Sequence, residues 1–229
     1  MFLHKSNIIF RSAYPNFLWR MPNNEKKIYL TFDDGPIPEI TEFVLETLET
    51  YNAKATFFCI GDNIEKHSGI FQKILEQNHG VGNHTFNHLN GWKTEQGIYL
   101  KNVSLCQEEI QKQIQSQNQI QSQIEKQIDS YLIPHTSYLQ FFRPPYGRIS
   151  RTQAKEILKM HQIVMWDVLT GDFSPALSPD LVLEKSLKYT ENGSIVVFHD
   201  SLKAAKNMQF TLPRFLQHFA EKGFEFVAL

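Results

Sequence analysis

The chain contains almost no cysteine: Cys59 and Cys106 are the only two in 229 residues. Two cysteines cannot form the disulfide framework of a small secreted module. Cys59, inside the apolar run Ala55–Ile60, reads as a small buried hydrophobe. Long apolar runs are also missing: no stretch approaches the roughly 20 residues of a membrane helix. Met1–Arg20 lacks the uninterrupted core of about 7–15 apolar residues that marks a signal peptide. The expectation is a cytoplasmic protein without a membrane span. Neither charge sign dominates, with 23 Lys and Arg against 24 Asp and Glu and a net charge of −1. That balance gives no electrostatic case for nucleic acid or an anionic membrane. Oligomeric state is left open.

Hydrophobic residues make up 41% of the chain and aromatics 13%, enough for the core of one substantial domain. Short β-like runs alternate with amphipathic stretches. Strand-like runs occur at Ile28–Phe32, Ala55–Ile60, Gly80–Asn83, Phe141–Phe142, Ile163–Trp166, Ser194–Phe198 and Phe224–Leu229. Helical spacing covers Ile40–Tyr51, Ile64–Gln77, Ser150–Met160, a stretch capped by Ser178 and running to Tyr189, and Leu212–Glu221. Seven β–α steps predict an α/β fold with a parallel sheet, a closed or partly closed barrel being favoured over an open sheet. One region breaks the rhythm. Gln107–Gln127 contains Gln-Ile-Gln-Ser-Gln twice, at 113–117 and 119–123. The six-residue step from Ile114 to Ile120 turns the apolar face by about two-thirds of a turn. A long exposed helix, or a helix–loop extension with no role of its own, is expected there.

Three segments carry polar residues at strand ends. Asp33-Asp34-Gly35-Pro36 follows an apolar strand; taken alone it is an ordinary turn. His84 and His88 are four residues apart, which on a helical turn puts both imidazoles on one face. Phe198-His199-Asp200 ends a buried strand. Asp34, His84 and His88 together make a two-His, one-carboxylate set suited to a zinc-like ion with positions left for water and substrate. Asp33 and His199 are then left as base and acid. Arg143 opens Arg143-Pro144-Pro145-Tyr146-Gly147, where the prolines stiffen the chain and Gly147 allows a tight turn. Arg143 could hold a carboxylate ionised, and the Tyr146 N–H could serve an oxyanion.

Taken in order, Thr31-Phe32-Asp33-Asp34-Gly35, His84-Thr85-Phe86-Asn87-His88, Arg143–Gly147, Asp172 and Val197-Phe198-His199 resemble the motifs of the polysaccharide deacetylase family. This is carbohydrate esterase family four, the NodB-homology domain, and the resemblance runs from about Lys27 to Leu229. It implies a distorted (β/α) barrel of about seven parallel strands and metal-dependent removal of N-acetyl or O-acetyl groups from sugars. By position, Asp33 is similar to the catalytic base and Asp34, His84 and His88 to the metal triad. The metal implied is one divalent ion, Zn2+ first, with Co2+ or Ni2+ as alternatives. Arg143 resembles the residue that positions the base, the Tyr146 N–H an oxyanion donor, and Asp172 the partner of the acid His199. Val197 would help form the pocket for the acetyl methyl, with Pro144 and Phe173 also on the substrate side. Leu169 stands where many members have another Asp, and Phe173 where the groove-lining aromatic is often Trp.

The expected organisation is an N-terminal extension, residues 1–26, packed on a catalytic domain of residues 27–229 with the Gln-rich helical insertion near 107–130. Peptidoglycan, chitin oligomers, xylan and small sugar precursors all remain open as substrate. The rivals are a non-catalytic carbohydrate-binding protein on the same fold, a scaffold working through the Gln-rich insertion, and a metal amidohydrolase for a non-sugar amide.

Overall fold

A computed structural model describes residues 3–125 and 140–229. Seven parallel strands follow one path across the sheet. They are β1 (Lys27–Asp33), β2 (Thr56–Cys59), β3 (Gly80–Asn83), β4 (Phe141–Phe142), β5 (Gln162–Ile163), β6 (Val168–Leu169) and β7 (Ile195–His199). Their spatial order is β5-β4-β3-β2-β1-β7-β6. An eighth strand, β8 (Glu225–Val227), pairs in parallel with the first half of β1 at Lys27–Tyr29, while β2 pairs with its second half. The expected distorted (β/α) barrel is the fold observed.

The edges β5 and β6 do not pair with each other, and the N-terminal segment spans the gap between them. Leu18 donates to the Ile163 carbonyl and accepts from Met165, and Ser6 donates to the Asp167 carbonyl. Buried Asp167 fixes this seam, accepting from Lys5 at 2.8 Å, from Arg11 and from Ser194 at 2.7 Å.

The helices are α1 (Ile8–Ala13), α2 (Ile40–Thr50), α3 (Gly61–Lys66), α4 (Ser68–Glu76), α5 (Gln96–Glu125), α6 (Arg151–Ile157), α7 (Pro179–Tyr189) and α8 (Ala205–Ala220). Their start signals are those of the sequence. Ser178 caps α7 by accepting from Leu181 N at 3.3 Å, with Pro179 in its first turn. Ser150 and Gln153 form a reciprocal capping box on α6. The main core lies between the sheet and α2, α4 and α8, around Phe32, Phe57, Phe71, Phe198 and Phe215. Both cysteines are free and buried within it, as expected for Cys59. Among the described residues no helix is long and apolar enough to cross a membrane.

Four expectations need correction. Ile64–Gln77 is two helices, because His67, at φ −128° and ψ 43°, leaves the helical region between α3 and α4. Ile163–Trp166 is not one strand. The Val164 and Met165 carbonyls bond to Arg143 at 3.2 and 2.9 Å instead of a neighbouring strand, and the sheet resumes at β6. The helix expected at Leu212 starts at Ala205 and carries Pro213 within it. The Gln-rich segment is the second half of a 30-residue helix whose first half is core. Tyr99, Val103, Cys106 and Ile110, spaced four, three and four apart, are all buried. The part of the expected insertion beyond Glu125 lies outside the described residues.

Candidate active site

The functional side chains leave the sheet at the carboxyl ends of β1, β3, β4 and β7, where parallel α/β folds gather their sites. Strand register puts two of them side by side: Asp33 on β1 is the cross-strand partner of His199 on β7. Side chains alternate along a strand, so Thr31 shares the face of Asp33, and Val197 the face of His199. Val197 is fully buried behind His199.

Asp34 follows Asp33 with φ at +85°, a left-handed conformation that turns its side chain away from its neighbour's. The turn is held from two sides. Asn63 donates to the Asp34 carbonyl at 2.7 Å, and buried Asp200 accepts from Gly35 N at 3.0 Å and Thr41 Oγ1 at 2.6 Å. A Cβ on Gly35 would stand 1.9 Å from Asp200 Oδ2, so only glycine fits there.

His84 and His88 meet Asp34, though not on a helical turn as expected. The segment is a bent loop with positive φ at Thr85 (+62°) and His88 (+55°). Those two reversals bring the ring centroids to 5.1 Å. The loop is clamped: Thr85 N donates to Asn83 Oδ1 at 2.9 Å, and Asn102 of α5 exchanges hydrogen bonds with Asn87 at 2.8 and 2.9 Å. His84 and His88 Nε2 lie 3.7 and 3.2 Å from Asp34 Oδ1. One ligating atom from each of the three residues falls within 4.8 Å of the others.

The donor set fits a divalent cation. The His84 Nδ1 is 2.7 Å from the Arg143 carbonyl, which can only accept, so Nδ1 carries the hydrogen. Burial pushes the His84 pKa down to about 4, the nearby carboxylates only partly opposing it. A neutral ring with hydrogen on Nδ1 leaves the Nε2 lone pair facing Asp34, the form a metal needs. Burial pushes Asp34 up, but the His88 hydrogen bond and then the charge of His199 outweigh it and hold the carboxyl below its usual range. Zinc-like chemistry suits this set, which ligand type alone does not restrict to one ion.

Arg143, fully buried, organises the surroundings of Asp33. Its Nη1 donates to Asp33 Oδ1 at 2.6 Å and to Thr31 Oγ1 at 2.8 Å, its Nε and Nη2 to the Val164 and Met165 carbonyls, and its guanidinium lies 4.0 Å from the Phe58 ring centroid. Asp33 therefore has its Oδ1 committed to Arg143. At the end of β7, His199 Nδ1 bonds Asp172 Oδ1 at 2.8 Å and its backbone N–H bonds Asp172 Oδ2 at 2.7 Å. Burial alone would lower the His199 pKa; the Asp172 carboxylate, followed by Asp34 and Asp33, overcomes that and raises it to about 9. Phe173 packs edge-on against the His199 ring at 4.9 Å.

Tyr146 is 60% exposed at φ +61°, its ring 4.6 Å from that of His88. Pro144 is buried and accepts from Gly147 N at 2.9 Å, closing the turn. Trp166 backs that turn, and a Cβ on Gly147 would stand 2.6 Å from its ring. Leu169 ends β6, buried. The structure thus gathers the sequence-derived candidates around Asp33, Asp34 and His199, with Pro144 and Val197 buried. Reading from the sequence quoted Thr31 and Asp200 within motifs but gave no supporting role to them or to Asn63, Asn83, Asn102 and Asn207. Asn207, on α8, donates to the carbonyls of Asp172, Ser174 and Leu177. None of them has a spacing signal, because each acts through a fold contact.

Known proteins agree with this architecture. Residues 20–165 match the family described as polysaccharide deacetylase. A peptidoglycan-N-acetylglucosamine deacetylase of Bacillus cereus is 32% identical over 210 residues, covering 91% of this chain and 68% of the relative. A chitooligosaccharide deacetylase of Azorhizobium caulinodans is 32% identical over 188 residues, covering 79% and 77%. The crystal structure of the Bc1960 peptidoglycan N-acetylglucosamine deacetylase superposes with a TM-score of 0.80 at 27% identity, covering 98% of this chain and 95% of that one. With the barrel, the ordered motifs and these relatives in agreement, the chain belongs to the polysaccharide deacetylase family.

Proposed function

We propose that this protein is a metal-dependent deacetylase that hydrolyses the N-acetyl group of N-acetylglucosamine units in a glycan, releasing acetate and leaving a free amine. The observation that carries the reading is the pairing of Asp33 with His199 in register, each held by its own buried partner, beside a triad of ligating atoms. A divalent cation held by Asp34, His84 and His88 would supply Lewis acidity toward the acetamido carbonyl and favour deprotonation of water.

The chain's own residues do the rest. Arg143 occupies Asp33 Oδ1, leaving Oδ2 to take the proton of the attacking water. Val197 and the buried wall beneath His199 offer an apolar seat for the acetyl methyl. The turn at Tyr146 brings a backbone donor toward the developing oxyanion. His199, held protonated by Asp172, gives its Nε2 proton to the departing nitrogen as the C–N bond breaks. The proton taken at Asp33 then returns to solvent. A binding-only protein has no need of both a base and an acid with dedicated charged partners, which favours the catalytic reading over that rival.

The test is acetate release from an N-acetylglucosamine pentamer and from peptidoglycan, with and without chelator. The reading requires release that chelator abolishes and added Zn2+, Co2+ or Ni2+ restores. Release insensitive to chelator, or no release from any N-acetylated glycan, would overturn it.

A further inference from the structure

Beyond the reaction centre, one large aromatic side chain is displayed to water. Trp92 is 66% exposed, yet it is not loose. Its indole N–H donates to the Ile149 carbonyl at 3.0 Å, its backbone N–H bonds Asn90 Oδ1 at 3.1 Å, and the Arg148 guanidinium lies 5.3 Å from its ring centroid. The loop beneath it is fixed too. Gly91 N donates to the Arg148 carbonyl at 3.1 Å, and Gln153 Nε2 reaches the carbonyls of Gly91 and Thr94 at 2.9 and 3.1 Å. A Cβ on Gly91 would stand 2.6 Å from the Arg148 oxygen, so the two loops lie in direct contact. A rigid indole whose polar atom is already satisfied, and whose ring remains in water, is preorganised to stack on a flat apolar face.

Its location gives that face an identity. The loop carrying the metal-ligand candidates continues from His88 to Trp92, and the Arg143–Ile149 loop runs beside it: His88 meets Tyr146, Gly91 meets Arg148, and Trp92 meets Ile149. Four residues reach at most about 14 Å, so Trp92 lies within the span of a few linked pyranose rings from His88. Tyr146, also exposed, lies against His88 on that neighbouring loop.

We infer that Trp92, with Arg148 against its ring, is a sugar-stacking platform for a substrate unit beyond the one being deacetylated, and that it makes the enzyme select glycan chains over short acetylated sugars. Arg148 adds donors for hydroxyl or acetamido oxygens at the edge of the stacked ring. The inference deepens the deacetylase reading and rests on it for the identity of the sugar.

The experiment compares kcat/KM for N-acetylglucosamine pentamer and dimer in wild-type, W92A, W92F and, as a control at an exposed apolar site far along the chain, M160A. The expected result is that the pentamer-to-dimer preference falls about five- to tenfold in W92A, through KM, and survives in W92F and M160A. An unchanged preference in folded W92A overturns the platform. If wild-type protein releases no acetate, the deacetylase reading has failed, and co-sedimentation with insoluble N-acetylglucosamine polymer decides the platform separately. Weaker retention of W92A than of wild type supports it, and equal retention overturns it.

Discussion

His84 and His199 are the same residue type, both at the carboxyl end of a parallel strand and both largely enclosed, yet the protein drives them in opposite directions. His84, at the β3 end, faces a backbone carbonyl and is pushed down to about 4, mainly by burial. His199, at the β7 end, is also pushed down by burial but faces the Asp172 carboxylate and rises to about 9. One imidazole is kept neutral with a lone pair to give, the other charged with a proton to give. The second partner, carbonyl or carboxylate, decides which.

Removing each ring gives the sharpest contrast and the largest effects. H84A is expected to lose bound metal to background and acetate release with it. H199A is expected to keep the metal while turnover falls about 10²–10⁴-fold, and D33N should match it. Metal analysis of purified protein alongside acetate assays reads both; metal loss in H199A, or metal retention in H84A, would erase the division of roles.

Replacing only the partner is the next test. D172N keeps shape but removes the charge that raises His199, making the β7 end electrostatically more like the β3 end. Turnover should fall roughly 10–100-fold, and the alkaline limb of the pH–rate profile should move to lower pH. A profile that drops in height without moving would mean that Asp172 acts only by position.

Stability of metal-free protein carries the same contrast in opposite signs. The folded pKa of His84 lies below the ordinary 6.5, so the unfolded chain takes up that proton first. Its contribution is complete above pH 6.5 and is lost as pH falls toward about 4. The folded pKa of His199 lies above 6.5, so its contribution is complete below pH 6.5 and is lost as pH rises through about 9. Each slope amounts to about 2 kcal/mol over roughly 1.5 pH units. Urea midpoints with chelator should show the wild-type advantage over H84Q shrinking from pH 6.5 to 5, and that over H199Q shrinking from pH 6.5 to 8. Parallel curves would remove the electrostatic account.

Both histidines were legible in the sequence, because chemistry-bearing residues at strand ends combine a buried β-run with a polar break. The parallel alternation was legible for the same reason: periodicity is local. What failed has particular physical causes. His84 to His88 has helical spacing but not a helix, since positive φ at Thr85 and His88 replaces the turn. The division at β5 and β6 depends on Arg143 taking two carbonyls 21 and 22 residues away, beyond the reach of a local pattern. Gln-rich composition concealed a core helix because Tyr99, Val103 and Cys106 precede the repeat rather than lie in it.

The smallest expected effects lie with two asparagines that no motif announces, one behind each histidine. Asn102 on α5 ties down the loop between His84 and His88 through Asn87, while Asn207 on α8 ties down the loop that begins at Asp172. N102A leaves the Asn87 side chain and N–H without their partner, and N207A removes the side-chain donor from the Asp172, Ser174 and Leu177 carbonyls, so each should cost about 1–3 kcal/mol of stability. Their functional consequences should separate as the histidines do. N102A loosens ligand geometry, so it should weaken metal retention under mild chelator while metal-saturated turnover falls less than about tenfold. N207A should leave metal retention unchanged, lower turnover by a similar factor, and move the alkaline limb in the same direction as D172N but less far. That outcome requires Asn207 to act through Asp172 on His199, since α8 supplies none of the three candidate ligands. If both variants lost metal equally, the two ends of the mouth would be one cooperative unit, and the opposite states of His84 and His199 would have to be set jointly, not by their separate partners.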